Sequence, residues 1–224
     1  AQVNWQKTKG LAGMAYRPTA KTEARKRAQH QLLLDSSIMI VSKNGFKALT
    51  IAELAQKADV ATGTVYKYFE NKADLCTQVF RMGSEKEVEQ VRAAAFPASN
   101  VTDKTTTRCK QRLSNAITSF AERAIAGHRL AYALIAEPVD PMVEAERLTY
   151  RSAYADVFQT LIEEGISTGE FRAQNSTVSA AAIVGVLAET LVEPLGVDRQ
   201  EDAGFDPSKL IKSIEVFCLN ALVC

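Results

Sequence analysis

Between Thr50 and Phe69 the stretch TIAELAQKADVATGTVYKYF packs two helical patterns around a single break. Thr50 is a strong N-cap and Glu53 follows three positions later, the spacing of a capping box. Ile51, Leu54, Ala55 and Ala58 then repeat at helical spacing on one face. Asp59 interrupts the pattern and tolerates a left-handed turn better than most residues, and Val60 plugs the corner. A second helix is predicted from Ala61 or Thr62, with Val65 and Phe69 inward and Thr62, Thr64, Tyr66, Lys67 and Tyr68 on the opposite side. Ahead of this unit, the pattern predicts a helix over 23–43 with Leu33, Leu34, Ser37, Ile38 and Val41 facing in, closed by Gly45. After it, Asn71 and Asp74 form a second N-cap signal, so a long helix is expected from Lys72 toward Ala95, ended by 96–100.

The remainder repeats the helical period, with breaks at Pro or Gly. Candidate helices span 102–127, 129–136, 142–168, 176–195 and 207–223, separated by the segments at 137–141 and 169–171 and an acidic loop at 196–206. No strand-period segment and no internal repeat interrupts this series, so the expected class is all-α. Two helices differ from the rest. VSAAAIVGVLAETLVEPL is apolar nearly all round, which predicts burial on more than one side, and KLIKSIEVFCLNALV carries one apolar stripe. Ala181, Val184, Gly185 and Ala188 on the first and Leu210, Ile214 and Phe217 on the second are the candidate residues of a homodimer interface.

Charge sharpens the picture. The whole chain is near neutral at +1, but residues 1–80 hold 12 Lys and Arg against 6 Asp and Glu, and the rest 15 against 20. Only the first third is suited to a polyanion. There the outward set reads as a DNA-recognition surface. Thr50, Thr62, Thr64, Tyr66, Lys67, Tyr68 and Lys72 supply hydroxyls and cations for phosphates or base edges, and Gly63 keeps the helix start slim. Residues 1–22 are basic and rich in breakers, and read first as a loose terminus and second as an arm lying along phosphates. Arg25, Lys26 and Arg27 read as phosphate contacts or as a solvated face.

The stretch ADVATGTVYKYFENKADL resembles the DNA-binding signature of the tetracycline-repressor (TetR) family of bacterial regulators, over about residues 33–79. The chain departs from it at Asp59, where the family usually has Gly, and at Ala61, where it usually has Ser; Ala61 cannot cap the recognition helix. The resemblance implies an N-terminal three-helix helix-turn-helix domain (residues 23–71, motif about 50–69) and a helical ligand-binding and dimerisation domain (72–224), whose last two long helices form the dimer interface. It implies a cytoplasmic, ligand-responsive repressor that leaves a palindromic DNA operator when a small, largely apolar organic effector binds. Leu113, Ile117, Phe120, Tyr132, Ile135, Tyr150, Tyr154 and Phe158 are candidates to line that pocket, although a Tyr and Phe stripe at helical spacing is also ordinary core.

Competing readings are a helical-bundle small-molecule carrier or an enzyme. The sequence offers neither a Ser/His/Asp or Cys/His arrangement nor a phosphate-binding Gly loop. Cys76, Cys109, Cys218 and Cys224 lack CxxC spacing, and with His30 and His128 alone no metal site or cofactor is expected. The N-terminus shows no signal core, and no segment approaches the uninterrupted apolar run of about 20 residues that a membrane span needs.

Overall fold

A computed structural model describes residues 20–97, 108–196 and 205–223. The proposed arm, the acidic loop and part of the 96–100 break fall largely outside these residues. The described residues form α1 (Ala20–Asn44), a 3-10 turn (Phe46–Ala48), α2 (Ile51–Lys57), α3 (Thr62–Val65), α4 (Lys72–Ala95), α5 (Cys109–Ala126), α6 (His128–Ile135), α7 (Pro141–Ser167), α8 (Ser176–Leu195) and α9 (Pro207–Leu222). No strand occurs among them, and the class is all-α.

Local chemistry sets most helix boundaries. The Thr50 hydroxyl accepts from the Glu53 N–H at 3.1 Å and starts α2. Asn71 Oδ1 accepts from the Asp74 N–H, while Asp74 Oδ2 reaches back to accept from the Glu70 N–H. That reciprocal pair satisfies two donors at the start of α4. Asp140, Asn175 and Asp206 cap α7, α8 and α9 in the same manner, and Pro141 and Pro207 occupy first-turn positions where no amide is missed. Asp59 adopts φ 52°, the left-handed turn that the α2–α3 corner demands.

Two expectations change. The helix predicted from Ala61 or Thr62 is one α-turn, with Ala61 as an N-cap that makes no side-chain bond, and the chain continues to Phe69 through turn-type bonds such as Tyr68 N–H to Val65 O at 2.9 Å. Without a capping hydroxyl and with Gly63 in its first turn, α3 has little local support. Tertiary packing of Val65 and Phe69, both essentially unexposed, holds it in place. Second, α8 is long and apolar enough, by length and composition, to cross a membrane, against the expectation that no segment would be. It buries only one stripe, Ala180, Ile183, Leu187, Leu191 and Leu195, rather than several sides.

The hydrophobic interior forms two clusters. One joins α1 to α4 around Leu33, Leu54, Val65, Phe69, Val79 and Phe80, and takes in Ala133 of α6 and Val143 of α7. The other fills the bundle of α4, α5, α7, α8 and α9 around Leu113, Ile117, Phe158, Leu161 and Leu187. α6 lies between them: Leu130 and Leu134 pack toward the first cluster, Ala131, Tyr132 and Ile135 toward the second.

Gly165 offers a direct test of this packing. A Cβ built there would sit 2.1 Å from Cδ2 of Phe171, a buried ring that cannot swing away. Gly165→Ala is expected to cost about 1–3 kcal/mol in urea unfolding, as overpacked cores do, despite the better helix propensity of Ala. An unchanged midpoint would contradict the α7 packing described here.

Candidate nucleic-acid interface and ligand cavity

The geometry of the expected DNA surface follows from the core beneath it. Val65 and Phe69 point inward, which turns Thr62, Gly63, Tyr66 and Lys67 to solvent; Tyr66 is 57% exposed, unusual for so large a ring. Thr50 and Lys72 are also exposed, each at a helix start, so Lys72 stands beside the free amides and positive dipole end of α4. Thr64 is half-exposed. Tyr68 requires a correction: its ring is half-buried and stacks on His30 at 6.0 Å, and His30 in turn bonds Gln78 Oε1 through Nε2 at 2.9 Å. Tyr68 therefore ties the segment after α3 to α1 and, through His30, to α4. A Cβ at Gly63 would meet nothing within 4 Å, so open space lies directly above the helix start.

The second site is a cavity of about 400 Å³ lined by α4, α5, α6, α7 and α8. Phe120, Ile135, Tyr150, Tyr154 and Phe158 line it as the sequence suggested. Leu113 and Ile117 do not: both are fully buried one to two turns earlier on α5, inside the bundle core. Tyr132 also stays out of the wall and packs against that core from α6. The sequence reading missed the contribution of α4 (Phe80, Ser84, Glu87, Val91), and of Val184, Leu187 and Ala188 on α8. A helical period separates inward from outward positions, but not those facing a void from those facing another side chain.

The cavity's polar side is arginine-rich. Arg123 makes a bidentate pair with Glu87, Nε to Oε2 at 2.6 Å and Nη2 to Oε1 at 2.8 Å, and this bond raises the guanidinium's pKa further. Arg147, 7% exposed, donates to the carbonyls of Leu134 at 3.0 Å and Glu137 at 2.7 Å and pairs with Glu144. Burial pulls its pKa below the usual value, though an arginine stays charged. Arg151 lines the cavity, is exposed, and has no ion-pair partner among the described residues. Burial pushes the Tyr154 and Tyr150 phenols up, so both remain neutral hydrogen-bonding groups. The walls are thus mostly apolar, and among the described residues Arg151 is the lining cation without an ion pair, which suits an amphiphile carrying negative charge at one end. Among the described residues no cluster of His, Cys, Asp and Glu could hold a metal ion.

The candidate interface residues divide. Val178 (63% exposed), Ala181 and Gly185 are exposed at helical spacing on α8, Val216 (41%) and Phe217 (61%) are exposed on α9, and Leu210 is half-exposed. A Cβ at Gly185 would touch nothing within the protomer. Ile214 is corrected: it is 3% exposed and belongs to the protomer's own core. Val184 and Ala188 turn toward the cavity wall instead of standing fully on the outer face.

Comparison with known proteins bears on both sites. Residues 33–79 match the family described as bacterial regulatory proteins, tetR family, and residues 106–191 match the tetracyclin repressor-like C-terminal domain; together the two matches span more than half of the chain. The fatty acid metabolism regulator protein of Bacillus subtilis (strain 168) is 23% identical over 180 residues, covering 79% of this chain and 89% of that protein. Two solved structures share the fold. The fatty acid degradation regulator FadR from Bacillus halodurans superposes with a TM-score of 0.69 at 21% identity, over 85% of this chain and 94% of that one. FadR from Bacillus subtilis in complex with stearoyl-CoA gives 0.68 at 20% identity, over 85% and 97%.

Because Tyr66 and Lys67 point away from the core, the Tyr66→Ala, Lys67→Ala double variant should fold normally by circular dichroism yet lose DNA affinity. If Lys67 meets a phosphate, the salt slope falls by about one per lost contact on every sequence; if it reads a guanine, preferred DNA loses about 1–3 kcal/mol per half-site relative to random DNA. Unchanged affinity and unchanged salt slope in binding titrations would remove this surface as the DNA contact.

Proposed function

Since the chain belongs to the tetR family of bacterial regulatory proteins, and is a DNA-binding transcriptional regulator rather than an enzyme, we propose that it is a homodimeric repressor released from a palindromic operator by a long-chain acyl-CoA. Residues 23–71 form the DNA-reading unit in this reading, and residues 72–224 the effector-binding and dimerisation unit. The regulator acts on double-stranded DNA, so its work is cytoplasmic. Thr50, Thr62, Gly63, Thr64, Tyr66, Lys67 and Lys72 make the DNA surface, with Tyr68 as a buttress.

The observation that carries the effector class is the cavity: a mostly apolar interior of about 400 Å³ with Arg151 beside it, which has no ion-pair partner among the described residues. An acyl tail gains by leaving water for such walls, on the order of 0.8 kcal/mol per buried CH2, while Arg151 favours the anionic end over a neutral one. The stearoyl-CoA bound to the Bacillus subtilis protein of the same fold has this chemistry. Dimerisation rests on the outer faces of α8 and α9 in this reading, where Val178, Ala181, Gly185 and Phe217 are exposed in the protomer. Two reading helices in adjacent major grooves would then span one helical turn of DNA, roughly 34 Å.

Two outcomes check this reading. Stearoyl-CoA, but not CoA, should dissociate wild-type protein from DNA selected out of a random pool, and Arg151→Glu should need about tenfold or more of it while holding DNA as wild type does without ligand. Calorimetry showing no stearoyl-CoA binding would dispose of the effector class. Gly185→Glu should sediment as a folded monomer, because the new side chain meets no protomer atom; a wild-type-like dimer would move the interface elsewhere.

A further inference from the structure

The 3-10 turn that leads from α1 into α2 begins with two backbone amides, those of Phe46 and Lys47. Its own N-cap, Gly45, supplies no side-chain acceptor. The acceptors come from the α6–α7 junction, far along the chain. Glu137 Oε2 accepts from the Phe46 N–H at 2.9 Å and Oε1 from the Lys47 N–H at 3.0 Å. Gly45 makes room for this: a Cβ there would stand 2.7 Å from Oε2 and 2.9 Å from Oε1, and its φ of 77° suits glycine independently. A carboxylate on two amides forms short, directional, charge-assisted bonds, so the grip is specific in distance and angle.

The other end of Glu137 is tied to the cavity. Its carbonyl accepts from Arg147 Nη2 at 2.7 Å, and its N–H donates to the Tyr132 carbonyl at 3.0 Å. Arg147 is itself a cavity-lining residue, as are Ala131, Leu134 and Ile135 on the helix that Glu137 follows. One residue thus touches the DNA-reading unit with its side chain and the cavity wall with its backbone.

We infer that Glu137 is a positioning residue for DNA recognition: its carboxylate fixes the angle of the reading unit through the Phe46 and Lys47 amides, and filling the cavity loosens that grip by displacing the end of α6. Glu137 contacts neither DNA nor effector in this role. The inference rests on the regulator reading above, but its first test needs neither DNA nor acyl-CoA.

Ala131→Phe places a ring in the cavity from α6, and Ala188→Phe does so from α8 should the first variant fail to fold. Amide hydrogen exchange followed by NMR reports the Phe46 and Lys47 N–H groups directly. Both should be protected in wild type and exchange about tenfold faster in the cavity-filled variant, with core amides of α1 such as Val41 unaffected. In DNA titrations, the filled variant should lose about tenfold in affinity, within the usual range of coupling between sites. In a Glu137→Ala background the same substitution should change affinity less than about twofold, and Glu137→Gln, which keeps one acceptor oxygen, should fall between. A Glu137 that merely stabilised the fold would move the unfolding midpoint and leave the effect of cavity filling unchanged. Exchange at Phe46 and Lys47 that ignores cavity filling, or an affinity loss equal in both backgrounds, would overturn the inference. Failure of stearoyl-CoA to bind would refute the effector class alone and leave this result standing.

Discussion

A buried guanidinium, that of Arg147, ties the cavity wall to the segment whose side chain grips the α1–α2 turn. Arg147 rises from α7 into the last turn of α6, where backbone carbonyls have no helical partner, and satisfies those of Leu134 and Glu137. Its guanidinium carbon lies 5.9 Å from the Phe80 ring centre on α4. A cation at a helix C-terminus is favoured by the dipole as well as by the bonds, and leaving it unpaired in this interior would be costly. Arg147, on the cavity wall, therefore links α7 to the end of α6 and the segment bearing Glu137, and reaches Phe80 of α4.

The rest of the bundle reads as walls around that point. Arg123–Glu87 joins α5 to α4 and Arg81–Glu146 joins α4 to α7; the latter bond draws the Glu146 carboxyl below the usual carboxylate range. Both pairs are partly solvated, so their worth lies in fixing which faces of α4 meet the cavity more than in net stability. α4 starts at the reader, capped by Asn71, and runs along the cavity to Ala95. α6 is short, half-buried along most of its length, and packed between two hydrophobic clusters. A short element squeezed between two cores can change position only by disturbing both, which makes it suited to carry occupancy from one to the other.

Much of the architecture was legible because its causes are local. Thr50 with Glu53, Asn71 with Asp74, and the Pro-bearing breaks announce helix starts within four residues, and the observed bounds of α4 and α8 agree with the expected ones. α3 was overextended because Val65 and Phe69 keep helical spacing even though Ala61 gives no cap; the core, not the local sequence, decides how far the helix runs. The pocket was half legible. Phe120 and Phe158 fall on it while Leu113 and Ile117, on the same apolar stripe of α5 as Phe120, are sealed in core. Glu137 lies in the 137–141 break and carries no sequence signal of its role. Nothing local marks its bond to Phe46, since the two are brought together by the docking of α6 on α1.

Occupancy of the cavity, on this mechanism, alters how the reading unit sits on the rest of the protomer, and hence the spacing of two readers in a dimer. Electron paramagnetic resonance between nitroxide labels at position 56, on the exposed face of α2, measures that spacing without reference to affinity. The DNA-bound dimer should give one narrow distance distribution, and binding of stearoyl-CoA should shift or broaden it. Release of DNA by stearoyl-CoA with an unchanged distance distribution would contradict the mechanism.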